Sequence, residues 1–342
     1  MLPEAGTLRT DLQSALATSR DSRNAVKAAL APGNLPSAEA FTRSMAKRWS
    51  AELELRGRGG EPVDLWRTLA SHGVADLPPQ AFDEEARTLE TTLPLSRGRA
   101  RTIRIRAARK GFALIEGEGI GAADGRSLAE TARHILRLDA DLSGFYAAAR
   151  DDPDLDWVRS GAGRMLRSPT VFEDVVKTIC TTNCTWSATV RMTTALVENL
   201  GVEAPGGRHA FPLPAAMAEV GDDFYRDSVR AGYRGPYLRT LSAEVAEGSL
   251  DLEGLTDPEL PDDEVAARLL ALPGCGPYAT AHMMMLLGRY SRLILDSWTR
   301  PKYARLNGRK AGDRTIERRF RRYREYAGLA FWLYLTRDWV ED

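Results

Sequence analysis

Apolar and polar residues alternate along the first part of the chain, before about residue 125. The clearest case is residues 101–106, where Ile103 and Ile105 fall on one side of an extended chain and Arg104 and Arg106 on the other. Such alternation is typical of strands that bury one face. Strands are predicted at 51–55, 101–106 and 112–116, and helices at 63–73 and 82–92. We therefore expect a small antiparallel sheet domain with helices at residues 46–125.

Beyond residue 125, apolar residues recur three or four positions apart, which predicts helices throughout. Ser168 or Thr170 is expected to start one helix, and a second is expected from about Trp186 to Leu200, closed by Gly201. The further predicted helices are 128–138, 142–149, one from Tyr225 onward, a hairpin pair at 262–288, a charged helix at 315–326 and a last helix that reaches Trp339. The predicted fold class is α+β and mostly α, with an all-helical domain at 126–342 after the sheet domain. Residues 1–45 are expected to be a helical or partly disordered extension.

Composition describes an ordinary water-soluble protein. The chain has 342 residues, which is longer than a single hydrophobic core usually supports. Hydrophobic residues make up 43% of it and charged residues 27%. No apolar run is as long as a membrane span and the N-terminus lacks the pattern of a signal peptide, so we expect a cytoplasmic protein with no membrane partner. Three cysteines, Cys180, Cys184 and Cys275, are too few for a disulfide framework, and their spacing predicts neither a zinc nor an iron–sulfur site.

Charge is distributed unevenly although the formal net charge is zero. Residues 300–325 contain eleven basic and three acidic side chains, whereas residues 251–264 are strongly acidic. A cationic face of this kind attracts phosphates even on a neutral protein. Arg300 and two or three of the later arginines are candidates for that face. The alternative is that the arginine run is a solvated helix with Phe320 and Tyr323 buried beneath it.

The hairpin pair is predicted to enclose a turn that is free of side chains. Asp262 or Asp263 is predicted to N-cap the first helix, and a Pro-Gly pair ends it. Gly274 and Gly276 form the turn. Pro277 suits the first position of the second helix, because a backbone N–H at that position has no acceptor within the helix and proline therefore loses no hydrogen bond. Backbone N–H groups at that helix start are therefore free to bind an anion, and a DNA phosphate fits this turn best.

The sequence Leu-Pro-Gly-Cys-Gly at 272–276, with Asp296 eighteen residues after Tyr278, resembles the helix-hairpin-helix (HhH-GPD) superfamily of base-excision DNA glycosylases. The resemblance implies that Gly274, Cys275 and Gly276 bind the DNA backbone and that Asp296 is catalytic. An aspartate after an apolar run is also a common helix N-cap, and the two roles are compatible. Because many nucleic-acid proteins use this hairpin only to hold a phosphate, a non-catalytic DNA-damage-binding protein is an alternative.

Two further segments resemble the 8-oxoguanine glycosylase branch of this superfamily. Asn183, in Cys-Thr-Thr-Asn-Cys, matches an asparagine that enters the DNA at the vacated base position. Tyr233 and Arg234, in Gly-Tyr-Arg-Gly-Pro-Tyr, match an aromatic wedge and an arginine that contacts the orphaned partner base. An enzyme that extrudes a base needs such a plug to refill the stack. The alternatives are an asparagine that ends a helix and an ordinary turn with a packed aromatic ring.

The predicted base pocket departs from the 8-oxoguanine branch. Bifunctional relatives carry a lysine nucleophile where this chain has Tyr278, so the resemblance implies hydrolysis by water without strand nicking. Tyr278 and His282 share one helix face, and in the alkylpurine branch the matching positions are aromatic and line the pocket. Phe331 and Leu335 stand where other relatives read 8-oxoguanine. Core packing is the alternative explanation for Tyr278, Phe331 and Leu335.

The resemblance as a whole implies a monomeric hydrolase of N-glycosyl bonds that acts on double-stranded DNA containing a damaged base. The expected substrate is an alkylated or oxidised purine. No cofactor or metal is implied beyond a monovalent cation that the hairpin backbone could hold. The alternative enzyme is a bifunctional 8-oxoguanine-type glycosylase and lyase with an unconventional nucleophile, for which Lys302 would be the first candidate.

Overall fold

The computed structural model describes residues 48–340, so the extension predicted at 1–45 lies outside the described residues. The strands are β1 Arg48–Glu54, β2 Ala81–Asp83, β3 Thr88–Leu95, β4 Arg99–Ala107 and β5 Phe112–Glu118. They form one sheet in the order β1-β5-β4-β3-β2, and the pairs β2–β3, β3–β4 and β4–β5 are antiparallel. Ile105 pairs with Leu89 on one side and with Ile115 on the other, so the alternating positions share a buried face.

The helix predicted at 82–92 is wrong, because this stretch contributes to two strands. The turn between β2 and β3 is closed by Asp83, whose Oδ1 accepts a hydrogen bond from the backbone N–H of Ala86 at 2.8 Å, and by Arg87 at φ 51°. In β3, Leu89 and Leu93 fall on the buried face. Neighbouring strands on both sides of β3 satisfy its backbone hydrogen bonds. This pairing decides the structure, although the spacing of the apolar residues would also fit a helix.

The remaining described chain is mostly helical, which confirms the predicted α+β class. The helices are α1 Leu65–Leu69, α2 Ala122–Ile135, α3 Ser143–Ala149, α4 Val171–Thr181, α5 Trp186–Leu200, α6 Pro214–Glu219, α7 Arg234–Ala246, α8 Asp262–Ala271, α9 Pro277–Leu286, α10 Thr299–Leu306, α11 Asp313–Phe320 and α12 Ala327–Thr336. Short 3₁₀ turns lie at Gly73–Asp76, Asp156–Ser160, Glu253–Thr256 and Arg321–Tyr326, and a π turn lies at Phe224–Ser228.

Several predicted helix ends need correction. The helix predicted at 63–73 is only the short α1, and the last helix stops at Thr336 rather than Trp339. The charged helix predicted at 315–326 is α11 followed by a 3₁₀ turn, because Arg324 adopts φ 51° and ψ −121° and breaks the helix. Thr170, by contrast, caps α4 as predicted, with its Oγ1 accepting from the Glu173 N–H at 3.2 Å.

Helix α9 is the element that positions the site. It is apolar on all sides because it lies between two helical cores: Met283 and Met284 belong to one, and Ala281 and Met285 to the other. The first core is built mainly from α4, α5, α7 and α8, and the second from α3, α10, α11 and α12. A third core joins the sheet to α2, so the sheet and the helices belong to one compact unit that begins at Trp49. The domain boundary at 125–126 therefore stays a prediction.

Candidate active site and DNA-binding surface

The predicted hairpin is present between α8 and α9. Gly276 is the N-cap of α9, Pro277 is its first residue, and no side chain caps this helix start. Gly274 has φ +84°, and a Cβ added there would lie 3.0 Å from Cδ2 of Tyr237, so both conformation and space favour glycine. A Cβ at Gly276 would meet open space, while Cys275 is buried. The turn therefore offers uncovered backbone to an incoming group.

Neither aspartate at the start of α8 caps it, which corrects the sequence prediction. Pro261 is the N-cap position and has no capping hydrogen bond from a side chain. Asp262 instead accepts from Arg289 at 2.9 Å and from Ser291 at 2.5 Å, while Asp263 pairs with Arg292 at 2.8 Å. Cations from the segment after α9 therefore bind these carboxylates, and the pairing ties the two helices of the hairpin together.

Asp296 lies at the start of α10 and is held in a fixed orientation. Its Oδ1 accepts from the backbone N–H groups of Trp298 at 2.8 Å and Thr299 at 2.7 Å, and its own N–H donates to Thr299 Oγ1 at 2.8 Å. Oδ2 has no hydrogen-bond partner among the described residues. The carboxylate acts electrostatically on Tyr278 and His282, so these three groups form one cluster. Asp296 therefore accepts from the backbone where α10 begins and keeps its second carboxylate oxygen free of hydrogen bonds within the described residues.

Three aromatic side chains contact one another in a row beside this carboxylate. The rings of Tyr278 and His282 are stacked with centroids 6.1 Å apart, and His72 meets His282 edge-on at 5.9 Å. Burial lowers the pKa of His282 to about 4, against the opposing charge of Asp296, and burial together with His282 lowers the pKa of His72 to about 3. Both imidazoles are therefore neutral at pH 7. Burial also raises the pKa of Tyr278, with a smaller contribution from Asp296.

His72 is the functional-site candidate that the sequence did not reveal. Its Nε2 donates to the carbonyl oxygen of Leu166 at 2.6 Å, which orients the ring towards His282. Nδ1 of His72 and Nε2 of His282 are both buried without a hydrogen-bond partner among the described residues. More than two hundred residues separate these two histidines in the chain, and no local motif surrounds His72.

Phe331 and Leu335 are fully buried in α12, inside the core that Tyr278 borders. The Phe331 ring packs on Phe320 at 5.2 Å and on Tyr303 at 6.2 Å. Neither side chain presents surface to a ligand in this arrangement. A role for them in a base pocket stays a prediction.

The predicted plug residues are brought together by α4 and α7. Asn183 follows α4 with φ 47°, and its Nδ2 donates to the hydroxyl of Tyr233 at 3.2 Å. Tyr233 is 50% exposed and meets Tyr237 edge-on at 6.0 Å. Because Tyr237 also contacts the turn at Gly274, an exposed aromatic surface runs from the plug residues to the hairpin.

Arg234 is buried, whereas Asn183 and Tyr233 are exposed. Its guanidinium donates to the carbonyl oxygen of Thr182, to Thr182 Oγ1 at 3.3 Å and to the carbonyl oxygen of Ala231 at 3.3 Å. It also lies over the Tyr233 ring at 4.5 Å. In this arrangement it fixes the loop that carries Asn183, and direct contact with a partner base stays a prediction.

The basic segment near the C-terminus divides into paired and unpaired arginines. Arg300 forms a two-point ion pair with Asp313 at 2.8 and 2.9 Å, and both side chains are exposed. Arg319 and Arg322 are paired with Asp154 and Asp152. Arg318, Arg321 and Arg324 have no ion-pair or hydrogen-bond partner among the described residues.

The part of the chain that the structure describes contains no group of three or more His, Cys, Asp or Glu side chains arranged to hold a metal ion. Within the same residues, none of the helices has both the length and the apolar character needed to cross a membrane.

Comparison with known proteins places this fold among DNA glycosylases. No protein-family model matches the chain. A curated relative, "Putative DNA-3-methyladenine glycosylase YfjP" of Bacillus subtilis (strain 168), is 28% identical over 120 residues, which cover 35% of this chain and 41% of that protein. The match thus spans less than half of the curated relative.

Solved structures match over most of the chain. The 3-methyladenine DNA glycosylase of Archaeoglobus fulgidus has a TM-score of 0.65 at 20% identity and covers 86% of this chain and 100% of its own. MBOgg1 in complex with a low-affinity DNA ligand has a TM-score of 0.65 at 17% identity, over 85% and 96% of the two chains. The apo 8-oxoguanine glycosylase/lyase of Clostridium acetobutylicum has a TM-score of 0.62 at 18% identity, over 85% and 96%. The predicted resemblance is therefore confirmed for the fold.

Proposed function

We propose that this protein is a DNA glycosylase of base excision repair, which flips a damaged purine out of duplex DNA and hydrolyses its N-glycosidic bond without nicking the strand. The observation that carries the proposal is the position of Asp296, fixed at the start of α10 beside Tyr278 and His282 and directly after the hairpin. The shared fold supports it, since the matching structures include a 3-methyladenine DNA glycosylase and an 8-oxoguanine glycosylase/lyase.

Asp296 suits the chemistry of base removal. Breaking the C–N bond develops positive charge on the sugar at C1′, and a carboxylate close to it stabilises that charge. The helix N–H groups occupy Oδ1 and fix the plane of the carboxylate, which leaves Oδ2 to face the sugar and orient the attacking water. The reaction in this proposal needs no amine nucleophile and no cofactor.

The rings of Tyr278 and His282 favour an electron-poor purine. A cationic alkylated base gains a cation–π attraction on an electron-rich ring that an ordinary base lacks. His282 does not repel such a cation, because burial lowers its pKa to about 4 and keeps it neutral. Alkylated purines also have a weakened glycosidic bond and need less help to leave.

The first test replaces Asp296 with asparagine. Asn Oδ1 still accepts from the Trp298 and Thr299 N–H groups, so we expect the fold and damaged-DNA binding to stay within a few-fold of the parent. Base release, measured as abasic sites revealed by alkali, should be abolished because the negative charge is lost. Asp222→Asn, which changes an exposed carboxylate paired with Arg239, is the matched control and should retain activity. Base release by Asp296→Asn at near the parent rate would refute the catalytic assignment.

The second test compares 7-methylguanine, 3-methyladenine and 8-oxoguanine opposite cytosine in otherwise identical duplexes. We expect the two alkylated purines to be released faster, and 8-oxoguanine poorly, because the rings of Tyr278 and His282 stack on a base rather than read its edge. Discrimination among alkylated bases should be modest, since stacking tolerates many ring shapes. A clear preference for 8-oxoguanine would contradict the proposed pocket and favour the other branch of the superfamily.

We further propose that the enzyme is a cytoplasmic monomer.

A further inference from the structure

A concave surface lies beside the Gly274–Gly276 turn and is lined by other residues of the hairpin. It is a groove of about 530 Å³ between the end of α8, the start of α9 and the kinked segment that follows α11. Leu270, Pro277 and Thr280 line it from the hairpin, and Arg321 and Arg324 line it from the kinked segment. Leu270 is 46% exposed, so the apolar wall of the groove is open to solvent.

The net charge of the side chains that line the groove is positive. Three arginines and one glutamate, Glu317, are among the residues that line it. Arg292 forms an ion pair with Asp263. Arg321 and Arg324 are exposed and have no ion-pair or hydrogen-bond partner in the described part of the chain. In contrast, ion pairs with carboxylates occupy three arginines of the sheet and one of α11, namely Arg99, Arg104, Arg106 and Arg319. The two free guanidinium groups therefore remain available to an anion.

Arg324 is held in place by an unfavourable backbone conformation. Its φ of 51° and ψ of −121° form a combination that glycine adopts readily and arginine rarely does. The kink ends the charged run and starts α12, and it sets this side chain at the groove.

One of the residues that line the groove has a buried polar atom without a partner. Thr280 is 2% exposed, and its Oγ1 is buried without a hydrogen-bond partner among the described residues. A hydroxyl in this state costs stability, and a valine of the same shape would avoid the cost. The start of α9, which no side chain caps, contributes its positive end to the same surface.

We propose that this groove binds the sugar–phosphate backbone of duplex DNA, beyond the phosphate held at the hairpin turn. Arg321 and Arg324 pair with phosphate oxygens, Thr280 donates its hydroxyl to one of them, and Leu270 packs against the sugar. The proposal rests on the proposed function in one respect only, namely that duplex DNA is the ligand of the hairpin.

The main test is the salt dependence of binding to an undamaged duplex. Each phosphate contact adds about 0.9 to the slope of log K against log salt concentration. The double variant Arg321→Gln/Arg324→Gln should therefore lower the magnitude of the slope by about 1 to 2. Arg126→Gln removes an exposed arginine of α2 that has no ion-pair partner among residues 48–340, and it should leave the slope unchanged. A parental slope in the double variant would overturn the proposal and leave the groove to an acidic protein partner.

Thr280→Val separates a ligand contact from a structural role. We expect the variant to be as stable as the parent or more stable, because an unpartnered buried hydroxyl is removed, yet to bind DNA about three- to tenfold more weakly. Unchanged affinity would overturn the assignment of the hydroxyl.

In a series of duplexes shortened from one end, the parent and the double variant should converge in affinity once the strand no longer reaches the groove. A difference that persists on the shortest duplex would contradict a local contact.

Base release distinguishes failure of this proposal from failure of the proposed function. Base release by the parent, measured in single-turnover reactions at saturating enzyme, reports on the Asp296 cluster, whereas the salt slopes report on the groove. Altered slopes without base release from any lesion would support the groove and refute the enzyme. Base release with unaltered slopes would refute the groove alone.

Discussion

Tyr278 decides which reaction this site is able to perform, because a phenol cannot form the imine that a lysine forms with an opened sugar. The lysine closest to Asp296 in sequence, Lys302, offers no substitute in this structure. Its Nζ lies 2.8 and 2.5 Å from the two carboxylate oxygens of Asp338, and the residue is 4% exposed. A buried ammonium that is paired in this way is not accessible to an opened sugar.

We therefore expect borohydride added during turnover to trap no covalent protein–DNA adduct. The abasic product should remain unnicked until alkali is added, which gel electrophoresis of an end-labelled strand measures. Tyr278→Phe should leave both results unchanged, because the phenol hydroxyl is not the nucleophile. Efficient trapping that survives Tyr278→Phe would point to another amine, and Lys302→Gln would then identify or exclude the first candidate.

At the scale of elements, the sequence predicts what local chemistry determines and misses what distant contacts determine. The hairpin is predictable because Gly274, Gly276 and Pro277 set their backbone without help from the rest of the chain. The stretch at 82–92 is not, because its state depends on pairing with a strand that ends at Ala107. The burial of Arg234 is equally invisible in the sequence, since it depends on acceptors of Thr182, which lies 52 residues earlier.

The contact between α4 and α7 gives Tyr233 a role that differs from that of the hairpin turn. Tyr233→Ala should weaken binding to a lesion duplex more than binding to an undamaged duplex, because only the flipped state needs the plug. Gly276→Val should weaken binding to the two duplexes about equally. Gly276 has φ −83° and a Cβ added there meets open space, so the fold tolerates the valine side chain and only an incoming phosphate contacts it. Fluorescence anisotropy on the two duplexes measures both.

Leu213→Ala is the matched control for the plug, since Leu213 is 49% exposed and Tyr233 is 50% exposed. It should change neither affinity. Equal losses on the two duplexes for Tyr233→Ala and Gly276→Val would remove the distinction, and with it the assignment of Tyr233 as the plug.

At the scale of the whole molecule, buried ionisable groups oppose each other in their effect on stability. Burial lowers the pKa of His72 to about 3 and of His282 to about 4, below their ordinary 6.5. The unfolded chain then binds protons that the folded chain does not, so these groups reduce stability as the pH falls below 6.5. Burial raises the pKa of Asp76 and of Asp174 to about 6, above their ordinary 3.8, so these groups reduce stability as the pH rises from 4 to 6.

Between pH 4 and 6 the two effects have opposite signs, so removing one group of each kind should tilt the stability curve in opposite directions. Asp174→Asn keeps an acceptor for the Ser168 N–H, which lies 3.0 Å from Oδ1, and His72→Gln keeps a donor for the Leu166 carbonyl. Relative to the parent, the free energy of unfolding of Asp174→Asn should increase by about 1.4 kcal/mol for each pH unit from 4 to 6, and that of His72→Gln should decrease by about the same amount. Urea unfolding at half-unit pH intervals measures both differences. Difference curves that are flat or of the same sign would show that these groups do not titrate as their burial requires.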